Sequence, residues 1–431
     1  MIQFLNLAGQ KLKNMIIKKT LENGLRVILA PLEKTQSFSV FIFVKVGSKY
    51  ETKSKRGISH FLEHMCFKGT ERRPDPLSIS KELDRVGGVF NAFTSKDYTG
   101  YFVKVEKNYM PLALDVVSDI FLNSLFKEEE IEKEKTVILE EIKMIKDNPT
   151  LYIDVLFEKL LYGDQPAGWS IAGEEETVKN IKRKDILNWV NNFYLAPNTV
   201  LSIAGNFKVN EVLSKIKNYF LKLRPGKSPQ KKKVIEKQKT PKKLIFQKDT
   251  EQAHIALGVR GFNLFHPLRY PFLVLATLLG GNMSSRLFQR LREKEGLAYY
   301  VHTDIETNPD TGYLCTFTGV DRSKIRDAVK IILEEYKNVT KEISEKEIEL
   351  AKNYLKGRLM LSLEETNSLA SFYGIQELLE KKILTPQQKI KEIDKVKKED
   401  IQKASQMIFK PQKLNLALIS PLKPKNLKLT L

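Results

Sequence analysis

Cysteine is nearly absent from this sequence: Cys66 and Cys315 are the two in 431 residues. That excludes a disulfide framework and any CxxC pair, and it favours a reducing, cytoplasmic setting. Long hydrophobic runs are missing too. The longest, near 38–46 and 271–280, fall short of the ~20 residues a membrane-spanning helix needs, so no membrane partner is expected. Residues 1–14 have no apolar core behind a basic start and no arginine, which speaks against a secretory signal or a transit peptide. Acidic residues are outnumbered, 52 against 72 Lys+Arg, giving a net charge of +20. That excess permits an anionic partner, but it is spread along the chain and no recognition motif accompanies it, so nucleic acid is not the expected partner. A composition 42% hydrophobic and 29% charged excludes a disordered chain, and the length suits two to three domains.

Histidine is also scarce, with five residues, yet two of them stand four apart in His60-Phe61-Leu62-Glu63-His64. On a helix, positions i and i+4 share a face. Two imidazoles held that way can grip one zinc ion at about 2.0–2.1 Å. Glu63 sits beside that face, where a carboxylate can take the proton of a metal-bound water. The order H-x-x-E-H reverses the H-E-x-x-H motif of zinc peptidases. The bland alternative is a pair of structural histidines; the intervening glutamate favours chemistry. Cys66 points away from the histidine face and reads as a small buried residue.

The coarse pattern is α+β. Asn23-Gly24 marks a hairpin between strands at 16–21 and 25–30, and 39–46 is a further strand. Residues 57–68 form a helix closed by Gly69, and 77–86 form another before Gly87-Gly88. Strands at 89–94 and 98–106 make a hairpin, followed by helices at 109–123, 127–146 and 151–162. A Pro- and Lys-rich stretch, 222–243, reads as an exposed linker; a basic nucleic-acid patch would need interleaved aromatics that it lacks. The second half then restarts the first, with strands at 244–247, 254–259, 299–304 and 312–320, helices at 271–279 and 284–294, and a helical tail over 323–408. This predicts two similar domains, 1–222 and 244–431, joined by 223–243. Each should be a mixed or antiparallel sheet covered by helices largely on one face.

A hydrolytic zinc site takes three protein ligands and leaves a fourth position open. The acidic helix over 128–146 offers candidates for the third. Glu134 and Glu141 are seven apart and share a face, while Ile131, Ile138, Ile142 and Ile145 recur at helical spacing. Glu128, Glu129 and Glu130 suit the positive end of the helix and need no further role. Glu141 fits that account less well, because it adjoins the apolar stripe late in the helix. Its neighbour Glu140 is the alternative.

Four stretches come together in order: GISHFLEHMCFKGT at 57–70, GGVFNAFTS at 87–95, EIEKEKTVILEEI at 130–142 and SSRLFQRLREKEGLAY at 284–299. With them the chain resembles the pitrilysin–insulinase family of inverted zinc metallopeptidases, and within it the single-length bacterial branch related to the mitochondrial processing peptidase. The resemblance implies one zinc per chain held by His60, His64 and Glu141, with Glu63 as general base and Glu134 supporting the site. It implies that Arg292 and Tyr299 stabilise the developing oxyanion, against the plain reading of surface charge at Arg290 and Arg292 and with Tyr300 adjoining. It implies that Asn91, Ala92 and Phe93 lie on an edge strand that binds extended peptide; the bland alternative is a routine hairpin with Phe93 in the core. The activity implied is endopeptidase cleavage of unfolded or extended peptides by attack of a zinc-bound water, in a homodimer; a site shared between the two chains, with Arg292 and Tyr299 of one completing the zinc site of the other, is a further expectation beyond the resemblance. A catalytically idle subunit of a heterodimer and a basic nucleic-acid-binding protein are the alternatives.

Overall fold

The computed structural model describes residues 3–4, 16–380, 382–422, 424 and 427–431. Apart from Gln3–Phe4, the expectation for residues 1–14 lies outside the described residues. Two compact units divide the chain. The first holds Met1–Ile142, Ser170–Lys232 and Leu361–Ile383; the second holds Lys143–Trp169, Lys233–Met360 and Leu384–Leu431.

The first unit is built on a seven-stranded sheet. Its strands in chain order are β1 (Gln3–Phe4), β2 (Ile17–Thr20), β3 (Arg26–Pro31), β4 (Ser37–Val44), β5 (Val89–Thr94), β6 (Thr99–Glu106) and β7 (Thr199–Gly205). They lie in the order β1-β2-β3-β7-β4-β6-β5, antiparallel except for the parallel pair β3–β7. The Asn23-Gly24 turn forms as its sequence predicts: Gly24 takes φ +92°, and Asn23 Nδ2 donates to the carbonyls of Phe220 and Leu223. Strand alternation sorts the core of β4. On one face, Tyr101 of β6 meets Phe121 from the helix α3 (Met110–Leu122; α1 and α2 are Ile58–Met65 and Pro76–Asp84). On the other, Phe41 and Phe43 pack against Ala370 and Tyr373 of the helix Thr366–Leu379.

The second unit is built on β8 (Lys242–Gln247), β9 (Gln252–Arg260), β10 (Ala298–Thr307), β11 (Gly312–Asp321) and β12 (Leu414–Ser420), in the order β10-β11-β9-β12-β8. Read from β8, this is the order of β3-β7-β4-β6-β5, with the parallel pair β12–β8 in the place of β3–β7. Ile255, Leu257, Leu416 and Leu418 face Phe272, Leu275 and Ile332 from helices on one side. On the opposite face, Ala256, Ala417 and Phe317 meet Ile153, Leu156 and Phe157 of α5 (Pro149–Tyr162), which follows α4 (Glu128–Asp147). A Cβ on Gly258 would come within 2.7 Å of the Phe157 ring, so that glycine is required for the close approach of α5.

Each sheet therefore carries most of its helices on one face, as the pattern predicts. The units do not follow the linear division at 222 and 244. Residues 143–169 belong to the second unit and 361–383 to the first, because each sheet's remaining apolar face is closed by one helix from the other half of the sequence. The stretch 284–294 is α-helical only at Arg286 and Leu287 and is a π-helix over Phe288–Lys294. The linker runs without regular structure until β8 begins at Lys242, yet it is tethered: Lys231 pairs with Asp97, and Gln165 exchanges two hydrogen bonds with the backbone of Ile235. Among the described residues, no helix is long and apolar enough to cross a membrane.

Candidate active site

The helix α1 is buried on almost every side, with Ile58, Phe61, Leu62 and Met65 among the most enclosed residues. Its start is fixed by two devices. Gly57 adopts φ +88°, and a Cβ there would lie 2.7 Å from the Ala172 carbonyl oxygen. The buried Glu51 accepts from the N–H groups of Gly57 at 2.7 Å and Ser59 at 2.9 Å, filling donors that a helix leaves open at its N-terminus. Burial pushes the Glu51 carboxyl up to about 7, against these hydrogen bonds.

On this helix the Nε2 atoms of His60 and His64 stand 3.1 Å apart. Glu141 reaches them from α4, with one oxygen 3.5 Å from His60 Nε2 and the other 3.6 Å from His64 Nε2. Donors about 2.0–2.1 Å from one tetrahedral zinc ion are spaced by roughly 3.3–3.4 Å, so this two-nitrogen, one-carboxylate cluster fits the metal. Among the described residues it is the one group of three or more such side chains close enough to share an ion. The adjacent Glu140 is exposed, which separates the two acids that sequence leaves as alternatives.

Glu134 occupies a core position of α4, buried in the same stripe as Ile131, Ile138 and Ile142. Its Oε1 lies 2.8 Å from His64 Nδ1 and its Oε2 2.5 Å from Lys68 Nζ. A carboxylate accepting from Nδ1–H leaves the Nε2 lone pair of His64 facing the cluster. Burial acts to raise Glu134, but the bonds from His64 and Lys68 outweigh it and hold the carboxyl below its usual range. Burial acts to lower His64, and Glu134 together with the charges of Glu63 and Glu141 turns the shift upward. His60 is pushed down to about 3 by burial and then by His64, so it is neutral; its Nδ1 is buried with no partner among the described residues. Burial raises Glu141, the Glu134 charge adds to that, and His64 opposes it.

Glu63 is buried, and burial raises its carboxyl against a lowering hydrogen bond from Thr94. Thr94 is the last residue of β5, the edge strand of its sheet. Asn91, Ala92 and Phe93 lie on this edge. The Ala92 N–H is held by the Asn91 side chain at 2.8 Å. The Phe93 ring sits over Gly100 and packs edge-on against Phe43 and Tyr98, so its side chain is structural and the backbone is what the edge offers.

Arg292 and Tyr299 belong to the second unit. Arg290 is committed to Glu334 and Glu335, whereas Arg292 has no ion pair among the described residues. Its guanidinium lies 5.1 Å from the Phe288 ring centre and 5.9 Å from that of Tyr299. Tyr299 is 74% exposed and sits in a register shift between Ala298 and Tyr300, while Tyr300 is bonded to His254. A π-helix and a β-bulge thus present this pair, as such irregularities often do for functional side chains. Thr94, Lys68 and Glu51 are the site residues that the sequence reading missed. Thr94 and Lys68 lie inside the motif stretches, but spacing alone assigns them no partner.

The family profile described as Insulinase (Peptidase family M16) matches residues 26–175, and that described as Peptidase M16 inactive domain matches residues 180–355. An uncharacterized zinc protease, YmxG, of Bacillus subtilis is 38% identical over 94% of this chain and 98% of its own length. An uncharacterized zinc protease of Streptomyces coelicolor is 35% identical over 95% of this chain and 90% of its own. The crystal structure of a protease from Helicobacter pylori superposes with a TM-score of 0.89 at 25% identity, covering 94% of this chain and 99% of that one. A peptidase M16 inactive domain structure from Pseudomonas fluorescens shares the fold with a TM-score of 0.86 at 17% identity, covering 95% of this chain and all of that one.

Proposed function

Since the chain belongs to the insulinase family of zinc peptidases, peptidase family M16, we propose that it is a zinc-dependent endopeptidase acting on extended peptides. His60, His64 and Glu141 would hold one zinc ion per chain. When bound, zinc supplies a Lewis acid and lowers the pKa of a coordinated water toward about 7. Glu63 is the general base: Thr94 engages Oε2, and Oε1 has no partner among the described residues and can accept the proton of the attacking water. The same carboxyl then returns a proton to the leaving amine. Glu134 orients His64.

The substrate lies along the open edge of β5, paired through its backbone. Main-chain recognition favours unfolded segments and gives broad sequence tolerance. Arg292 and Tyr299 donate to the scissile carbonyl oxygen as charge builds on it. The working form is a homodimer in which each chain lends this pair to its partner's zinc site. The observation that carries the reading is that the buried helix α1 brings together His60, His64 and Glu63, with Glu141 of α4 completing a three-donor cluster and Glu63 held by a single oxygen. Retention of both the base and the cluster supports an active chain over an idle subunit.

The test is cleavage of a peptide library by the wild type and by Glu63→Gln, each with and without a chelator. The wild type should cut and lose activity to the chelator. Glu63→Gln should keep its zinc and cut nothing. Cleavage indifferent to both would refute the reading.

A further inference from the structure

We propose that Lys68 is a positioning residue of the metal centre, acting through Glu134 to fix His64. The inference rests on the metal-binding reading above and extends it to a residue that is not itself a ligand. Lys68 follows the last turn of α1, where its N–H is bonded to the Met65 carbonyl at 3.2 Å. Just beyond it the chain is pinned: the Thr70 hydroxyl donates to the buried Asp119 at 2.6 Å, and Arg73 donates to the same carboxylate at 2.7 Å. The lysine backbone is therefore fixed, and its ammonium reaches across to α4, 2.5 Å from Glu134 Oε2.

Lys68 thus joins the helix that carries both histidines to the helix that carries Glu141. Glu134 is only 3% exposed, and among the described residues its partners are His64 and Lys68. With Lys68 on Oε2, Oε1 is the oxygen left for His64 Nδ1. Without Lys68, a buried carboxylate with one remaining partner gains by turning toward solvent, because an oxygen left unsatisfied in the interior is destabilising. His64 then loses the acceptor that sets its ring orientation. A lysine at the end of a helix also complements the helix dipole. That alone would leave its ammonium near the last carbonyls of α1, whereas here it is spent on another helix.

The test measures zinc affinity by competition with a chromophoric chelator, so it does not depend on catalysis. Lys68→Met should weaken zinc binding by roughly 10–100-fold, the usual effect of losing a group that supports a ligand. Lys68→Arg, which keeps the charge and the donor, should recover most of that loss. In a Glu134→Gln background, Lys68→Met should add little, because the path through Glu134 is already broken. Circular dichroism confirms that each variant is folded. Wild-type affinity in folded Lys68→Met overturns the proposal, and so does an undiminished effect of Lys68→Met in the Glu134→Gln background. A wild-type chain that binds no zinc would instead bring down the metal centre itself.

Discussion

The Thr94 hydroxyl donates to Oε2 of Glu63 at 2.6 Å, joining the end of the edge strand β5 to the helix α1. The proposed base and the proposed peptide-binding edge are therefore one mechanical unit. A hydrogen bond to a charged group is worth about 1.5–3 kcal/mol. Thr94→Val keeps the shape and removes the donor. It should lower kcat by roughly 10–100-fold, by that magnitude, with little change in KM. Thr94→Ser should retain most of the activity. The hydroxyl also opposes the upward push of burial on Glu63, so its loss moves the acid limb of the pH–rate profile to higher pH. Wild-type kcat in Thr94→Val would show that Glu63 needs no such support.

The metal content is open to direct measurement. Purified protein should hold about one zinc per chain, through three side chains and an open fourth position. His64→Ala should lose the metal. Because zinc would bind only the folded state, adding it to stripped wild-type protein should raise the melting temperature, and adding it to the variant should not. Full occupancy in a His60→Ala/His64→Ala double variant would exclude this cluster as the binding site.

Local spacing made part of this site legible. His60, Glu63 and His64 fall within one helical turn, and the stripe of Ile131, Ile138 and Ile142 marks the buried face of α4. Choosing Glu141 over Glu140 needed the family resemblance, since both adjoin that stripe. Thr94 and Lys68 were not legible because their partners lie 31 residues away in one case and on another helix in the other.

The fold divided along the same line. Strands β7 and β12 are buried along their whole length, so they show no alternation of apolar and polar residues to announce them. The exchange of helices between units was hidden for a different reason. The amphipathic patterns of α5 and Thr366–Leu379 say that each buries a face, not against which sheet.

Arg286 and Glu347 supply a test of stability in the second unit. The guanidinium donates to both carboxylate oxygens, at 2.6 and 3.0 Å. Burial acts to raise Glu347, but the Arg286 and Ser344 bonds outweigh it and bring the carboxyl to about 2. A carboxyl held lower in the folded state than in the unfolded one stabilises folding above the unfolded value of about 4.5. That contribution is lost as pH falls toward 2. The side chain is 34% exposed, so after solvent screening the pair is worth about 1 kcal/mol. Glu347→Gln should lower the urea midpoint at pH 7, and its deficit against wild type should shrink below pH 4.5. A deficit constant from pH 7 to pH 3 would assign the effect to packing.

The shared site can be separated from a site within one chain by mixing. Arg292→Ala should lower turnover by roughly 10²–10³-fold, the usual cost of one oxyanion donor, without changing zinc content. Glu63→Gln should be inactive for a different reason, the loss of the proposed base. In a dimer with shared sites, pairing a Glu63→Gln chain with an Arg292→Ala chain places both defects in one site and leaves the other intact, so activity returns. If each chain completes its own site, every site keeps one defect and mixing restores nothing. Subunit exchange is followed independently, for example by native mass spectrometry of one isotopically labelled partner. Recovery toward half of the wild-type rate per mixed dimer supports the shared arrangement; no recovery after confirmed exchange places Arg292 and Tyr299 at the zinc of their own chain.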